Sequence, residues 1–235
     1  GKAVLCEKPL TPSVADTVEL TEMARGRGVF LMEAMKTGFM PAIQQARSWI
    51  KEGIVGELKL ANAEFCFPGS TDPKGRLMNQ ELAGGAVLDV GIYPIYLVEH
   101  LLGGIISIQA NGSITETGVE DTVGMISRHQ GGATAVMACS FQTELALDAV
   151  IRGTKGEIRI PEFHAAQSAE LWKDGKLMSK FVAPEGSGRV KPEIRAVHAA
   201  LAQGLIECPG HDHKHSILLA KRMEEVRTLL GVMSA

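Results

Sequence analysis

Three things are scarce in this chain of 235 residues: net positive charge, long apolar runs and closely spaced cysteines. With 24 Lys and Arg against 27 Asp and Glu, the formal charge is -3 at pH 7, and the cations are scattered. No basic stripe is present to track a phosphate backbone, so nucleic acid is excluded as an expected partner. No apolar run reaches the roughly 18 residues that span a bilayer, and the N-terminus lacks the charged, apolar and cleavage-site succession of a secretion signal. A membrane is therefore not expected, and the expected compartment is the cytoplasm. Cys6, Cys66, Cys139 and Cys208 lie far apart with no CxxC pair, so they read as free thiols serving as small hydrophobes.

What is present is ample core material, 45% hydrophobic residues with 22% charged, patterned in two textures. The first is strand, helix, strand. Residues 3–6 form a short apolar run, Thr11 with Pro12 predicts a helix start, Gly28 a stop, and residues 29–32 a second strand, in the parallel arrangement typical of an α/β layer. A helix over 41–52 and a strand over 58–67 follow, then a polar irregular stretch, 68–79.

The second texture is a run of short strands, predicted over 105–114, 122–128, 133–142, 147–152, 157–160, 170–172 and 177–181. Their turn-like links, such as "HQGGA", predict an antiparallel meander. Helices over 192–204 and 216–230 close the chain. The fold class expected is α+β: a large, predominantly antiparallel sheet with helices on one face, preceded by a remnant of an α/β domain. The expected division is residues 1–33 and 34–235. In "ATAVMACSF" neither alternating face is charged, so the second face is expected to meet a second copy of the chain, giving a homodimer or higher homo-oligomer, the alternative being a cover of helices from the same chain.

Candidate chemistry centres on "NQELAGGAVLDVGIYPIYLVEHLLGG", residues 79–104. Gly84 and Gly85 thin the backbone where a ligand can approach, and Asp89 and Tyr93, four apart, share one side of a helix or its leading turn. Lys8 sits between a buried strand and Pro9, where parallel strands deliver functional residues and partial desolvation lowers an amine's pKa. Each has a plain structural alternative: a capping Asp, a half-buried Tyr, a solvated Lys. "GHDHKHS" sets His211, His213 and His215 at alternate positions, as a metal site would, yet without supporting carboxylates or cysteines it reads as a solvated loop.

The stretches "VLCEKPLT", "FLMEAMKTGFMPA", "RLMNQELAGGAVLDVGIYPI" and "HSILLAKRMEEVRTLLG" together resemble the glucose-fructose oxidoreductase, inositol dehydrogenase and rhizopine-catabolism (Gfo/Idh/MocA) family, most of all its dihydrodiol and sugar dehydrogenase branch. The resemblance implies a nicotinamide-dependent dehydrogenase acting on a hydroxyl of a sugar, polyol or diol, with NAD or NADP as cofactor and catalytic residues Lys8, Tyr93 and Asp89. Glu7, Lys8 and Pro9 would form the floor under the nicotinamide. In such a site Lys8 would lower the Tyr93 pKa so that the phenolate serves as base.

Two departures from the family pattern stand out. Where that branch commonly carries a tryptophan and a basic residue after "MEAM", this chain has Lys36 and Gly38. The GxGxxG phosphate-binding turn and its acidic ribose-binding residue are not in the sequence, so the first 33 residues read as the end of a Rossmann domain, and the chain by itself is expected to have little activity. A noncatalytic binding or assembly module and a metal hydrolase using the histidines are the rival readings.

Overall fold

A computed structural model describes residues 1–145 and 147–232; the last three residues of the expected second domain lie outside them. Strands β1 (Val4–Glu7) and β2 (Leu31–Ala34) pair in parallel, Val4 beside Leu31 and Glu7 beside Ala34, with helix α1 (Val14–Gly26) between them in the chain. The cap of α1 is Ser13, whose hydroxyl accepts from Asp16 N at 3.1 Å. Thr11, predicted as the cap, instead bonds the Ser13 carbonyl and the Thr17 hydroxyl, so Pro12 precedes the cap. All four residues of β2 are buried, whereas Val4 and Leu5 of β1 are 43% and 38% exposed.

Helix α2 (Pro41–Lys51) leads to β3 (Leu58–Cys66). A π-helical turn, Val87–Gly91, then runs into α3 (Ile92–Leu102). Seven strands follow: β4 (Ile105–Ile114), β5 (Glu120–His129), β6 (Thr134–Ser140), β7 (Ala149–Gly153), β8 (Gly156–Ile160), β9 (Ser168–Lys173) and β10 (Lys176–Val182). Helices α4 (Lys191–Ala202) and α5 (His213–Leu229) complete the described chain.

The sheet is eight-stranded, in the order β10-β9-β8-β7-β3-β6-β5-β4, with α+β organisation as expected. The continuous meander is corrected. Strand β3 inserts between β7 and β6, antiparallel to the first and parallel to the second, splitting the run into β4-β5-β6 and β7 to β10. Its Ala61 and Ala63 are buried on the helical face, where their small side chains let α3 lie close. Helix α3 is buried nearly all round, Ile92, Ile95, Leu97 and Val98 at 1% exposure or less. The stretch Gln80–Leu102 is apolar enough by composition to cross a membrane, but 78% of its 18-residue apolar window lies inside this fold, as a core helix does. On the opposite sheet face, Ile126 and its cross-strand partner Val136 remain exposed.

Candidate active site

Two turns from distant parts of the chain bring Lys8 and Asp89 together. Lys8 follows the C-terminal end of β1, and its ammonium lies 3.2 Å from Asp89 Oδ1 while donating to the Asp89 backbone carbonyl at 2.5 Å. Arg76 grips the same carboxylate with both terminal nitrogens, at 3.0 and 3.3 Å. Burial opposes ionisation of Asp89, but the Arg76 hydrogen bonds and the Lys8 charge outweigh it and hold the carboxyl below its usual range. Asp89 is therefore no helix cap; its side chain engages two cations.

Tyr93 sits in the first turn of α3, with Lys8 Nζ over its ring at 4.9 Å from the centroid and Lys36 Nζ at 5.6 Å. Phe65, from β3, tilts against it at 5.3 Å, and His164 meets it edge-on at 6.4 Å. The expected lowering of the Tyr93 pKa is not what the surroundings produce. Burial raises it most, and the negative charges of Asp89, Glu7 and Glu193 add to the rise. The phenol keeps its proton at neutral pH, which makes it a proton donor. Of the expected cofactor floor, Lys8 and Pro9 are half-buried and Glu7 is exposed at the end of β1.

Two buried carboxylates hold these turns in place. Glu33, on β2, accepts the Leu10 N–H at 2.9 Å with one oxygen and meets His211 Nε2 at 3.0 Å with the other. Glu120, at the start of β5, accepts the Val87 N–H at 3.0 Å, while its second oxygen faces Arg227 Nε at 3.8 Å. Glu33 is 2% exposed and Glu120 is fully buried. The glycine pair belongs to this arrangement. Gly85 has φ +119°, and a Cβ there would strike the Glu120 carboxylate; one at Gly84 would lie 2.7–3.0 Å from three backbone carbonyls. These glycines make room for the protein's own polar groups rather than for a ligand, a correction to the expected opening.

The histidine motif is also corrected. His211 and His213 are 1% and 2% exposed, His211 bonded to Glu33 and His213 Nε2 to the Leu31 carbonyl at 3.0 Å. Only His215 faces outward, against Asp212. The rings point to separate partners inside the fold, so they bind the start of α5 to β2 instead of converging on an ion.

Sequence reasoning missed Arg76, Phe65, His164, Glu193, Glu33 and Glu120. A carboxylate inside an apolar strand, as in "FLMEAM", was a usable signal for Glu33, because an unpaired buried charge is costly. Nothing local marks the others. Gly38 is explained by its neighbour: a Cβ there would collide with the Tyr96 hydroxyl unless that ring moved.

Known proteins resemble this chain in sequence and in fold. The GFO/IDH/MocA C-terminal domain matches residues 43–159. Trans-1,2-dihydrobenzene-1,2-diol dehydrogenase of Mus musculus is 37% identical over 243 residues, covering 99% of this chain and 71% of that protein; the Homo sapiens protein is 35% identical with the same coverage. Among solved structures, aldose-aldose oxidoreductase from Caulobacter crescentus, complexed with glycerol, superposes with TM-score 0.87 at 21% identity, covering 97% of this chain and 69% of that one. KijD10, a 3-ketoreductase from Actinomadura kijaniata in complex with NADP and TDP-benzene, superposes with TM-score 0.83 at 26% identity, covering 98% and 71%. The chain belongs to the GFO/IDH/MocA oxidoreductase family.

Proposed function

We propose that the protein is an NAD(P)-dependent oxidoreductase that interconverts a hydroxyl and a carbonyl on a sugar, polyol or related diol. The observation that carries this reading is the meeting of Lys8, Asp89 and Tyr93 at the C-terminal end of a parallel strand pair, where α/β layers bind nucleotides. The dehydrogenase relatives and the NADP complexes of KijD10 support it, as do the forms of KijD10 solved with one lysine or one tyrosine replaced.

The residues fit a nicotinamide end. Exposed Glu7 and half-buried Lys8 and Pro9 form an open ledge beside Tyr93, whereas a GxGxxG turn for the pyrophosphate is not among the 235 residues. A nicotinamide held there supplies hydride chemistry. Carbonyl reduction needs one hydride at carbon and one proton at oxygen. Tyr93 Oη holds that proton at neutral pH and delivers it to the oxygen; in the reverse direction the phenolate takes the hydroxyl proton. Lys8 Nζ, fixed by the Asp89 carboxylate and carbonyl, presents positive charge to the oxygen as negative charge grows on it. Asp89 positions Lys8, and Arg76 positions Asp89.

The exposed Ile126 and Val136 support self-association through the open sheet face. The test of the activity is a screen of sugars, polyols and trans-diols with NAD and NADP, on the protein with whatever precedes Gly1 in its natural reading frame. Lys8→Met and Tyr93→Phe are each expected to lower kcat by about 10²–10⁴-fold. Parent-like turnover in both variants sinks the assignment.

A further inference from the structure

Lys36 differs from the other cation on the Tyr93 ring in having no partner of its own. Lys8 is engaged by Asp89, but Lys36 forms no ion pair among the described residues, although its ammonium lies 5.6 Å from the ring centroid. It is partly buried, and burial is the main influence lowering its pKa. The carboxylate that acts on it most is Glu193, in the first turn of α4, which is 4% exposed and has one oxygen without a hydrogen-bond partner. Burial, with the charge of Glu7 behind it, lifts Glu193 to about 7, so at neutral pH it offsets Lys36 only in part.

Of the remaining neighbours, Glu7 acts on Lys36 more weakly as a second negative charge, and Arg189 and Lys8 act as positive ones. Arg189, exposed, forms no ion pair among the described residues and acts on both Lys36 and His164. His164 is kept neutral by burial and by those two cations, and its Nδ1 is buried without a partner. The wall beside Tyr93 thus carries a partly buried ammonium, 5.6 Å from the ring centroid, that has no ion-pair partner among the described residues and only partial compensation from Glu193 and Glu7. A partly desolvated ammonium of this kind gains most from an anion brought in by a ligand.

We propose that Lys36 determines specificity by binding an anionic group on the substrate, which is an acidic sugar whose reacting carbon lies at Tyr93 and whose carboxylate or phosphate ester meets Lys36 Nζ. The proposal rests on Lys8 and Tyr93 as the reacting pair. It also gives a reason for the departure at residue 36: a tryptophan wall suits an arene, and an ammonium suits an acid.

The experiment measures equilibrium binding by isothermal titration, in matched pairs of charged and neutral probes: glucuronate with glucose, gluconate with glucitol, and glucose 6-phosphate with glucose. At least one acid is expected to bind about 10–100-fold more tightly than its neutral partner, the span of a charge-assisted hydrogen bond. Uronate or aldonate preference identifies a carboxylate substrate, and preference for the phosphate ester alone identifies a sugar phosphate. In Lys36→Met the charged-to-neutral ratio falls toward one, and in Lys36→Arg it stays within about threefold of the parent. If no acid outbinds its partner, or if the ratio survives in Lys36→Met, the proposal is overturned. Binding is read without turnover, so charge preference in a protein inactive with NAD and NADP retires the hydride-transfer reading alone.

Discussion

The two turns that make the site are held in opposite ways. The turn bearing Asp89 and Tyr93 runs from a π-helix into α3, and around it Val87, Leu88, Ile92 and Ile95 are at 1% exposure or less. The turn bearing Lys8 leaves a strand whose Val4 and Leu5 are exposed and whose sheet has two strands. Packing dominates at the first turn, with Glu120 accepting from Val87 N; at the second a small cluster of Leu10, Ala24 and Leu31 is supplemented by Leu10 N to Glu33 and Lys8 to Asp89. The eight-stranded sheet and its helices therefore present a preformed acid and carboxylate, and the two-stranded layer brings a lysine placed by a smaller cluster and a few hydrogen bonds.

The largest expected effect separates these two modes. Ile95→Ala opens a cavity in a region with no slack and is expected to destabilise the fold by about 2–5 kcal/mol. Leu5→Ala removes a side chain already 38% exposed and is expected to change stability by about 0.5 kcal/mol or less. Urea unfolding of both variants checks this, and equal losses would show that β1 is packed as firmly as α3. A smaller effect tests the joint between them, the 3₁₀ turn Lys36–Phe39. Gly38→Ala forces a methyl group against the Tyr96 hydroxyl and is expected to lose about 1–3 kcal/mol. Tyr96→Phe in the same chain removes that oxygen and is expected to restore about half the loss. A double-mutant cycle that returns simple additivity would deny the contact.

What was legible in the sequence divides along the same line. Alternation in "ATAVMACSF" and the apolar stripe of Ile95, Val98 and Leu102 are local patterns, and β6 and α3 carry them. The insertion of β3 beside β6 is not local: it pairs Leu60 with Thr134, and strand propensity does not say which neighbour a strand takes. The histidines illustrate the same limit. Three histidines in "HDHKH" look solvated until Glu33, 178 positions before His211, is seen to need a partner for its second oxygen. Lys8, Asp89 and Tyr93 were found through the motifs that carry them, whereas Arg76 and His164 sit in segments with no pattern of their own. The direction of the Tyr93 shift was illegible for a physical reason. It depends on the sum of burial and three carboxylates, of which sequence proximity showed only Asp89.

The smallest expected effect is on pH dependence, and it asks whether the polar joint between the turns contributes to the fold. Asp89 has a folded-state pKa below its usual value of 3.8, because Arg76 and Lys8 favour the ionised form more than burial opposes it. A carboxyl depressed in this way adds stability that is fully present above its unfolded pKa and is lost as pH falls through the folded one. Asp89→Asn cannot titrate. Its deficit against the parent is therefore expected to be constant from pH 7 to about 5 and to narrow steadily below pH 4, as the parent alone takes up the proton. Glu193, lifted to about 7, works in the opposite sense, weakening the fold as pH rises from 4.5 towards 7, so Glu193→Gln separates the two signals. Urea midpoints taken at each pH for parent, Asp89→Asn and Glu193→Gln decide the matter. An Asp89→Asn deficit that stays constant down to pH 2 would mean that the ionised Asp89 side chain adds no stability through Lys8 and Arg76, leaving the lysine turn held by its backbone contacts and by Glu33.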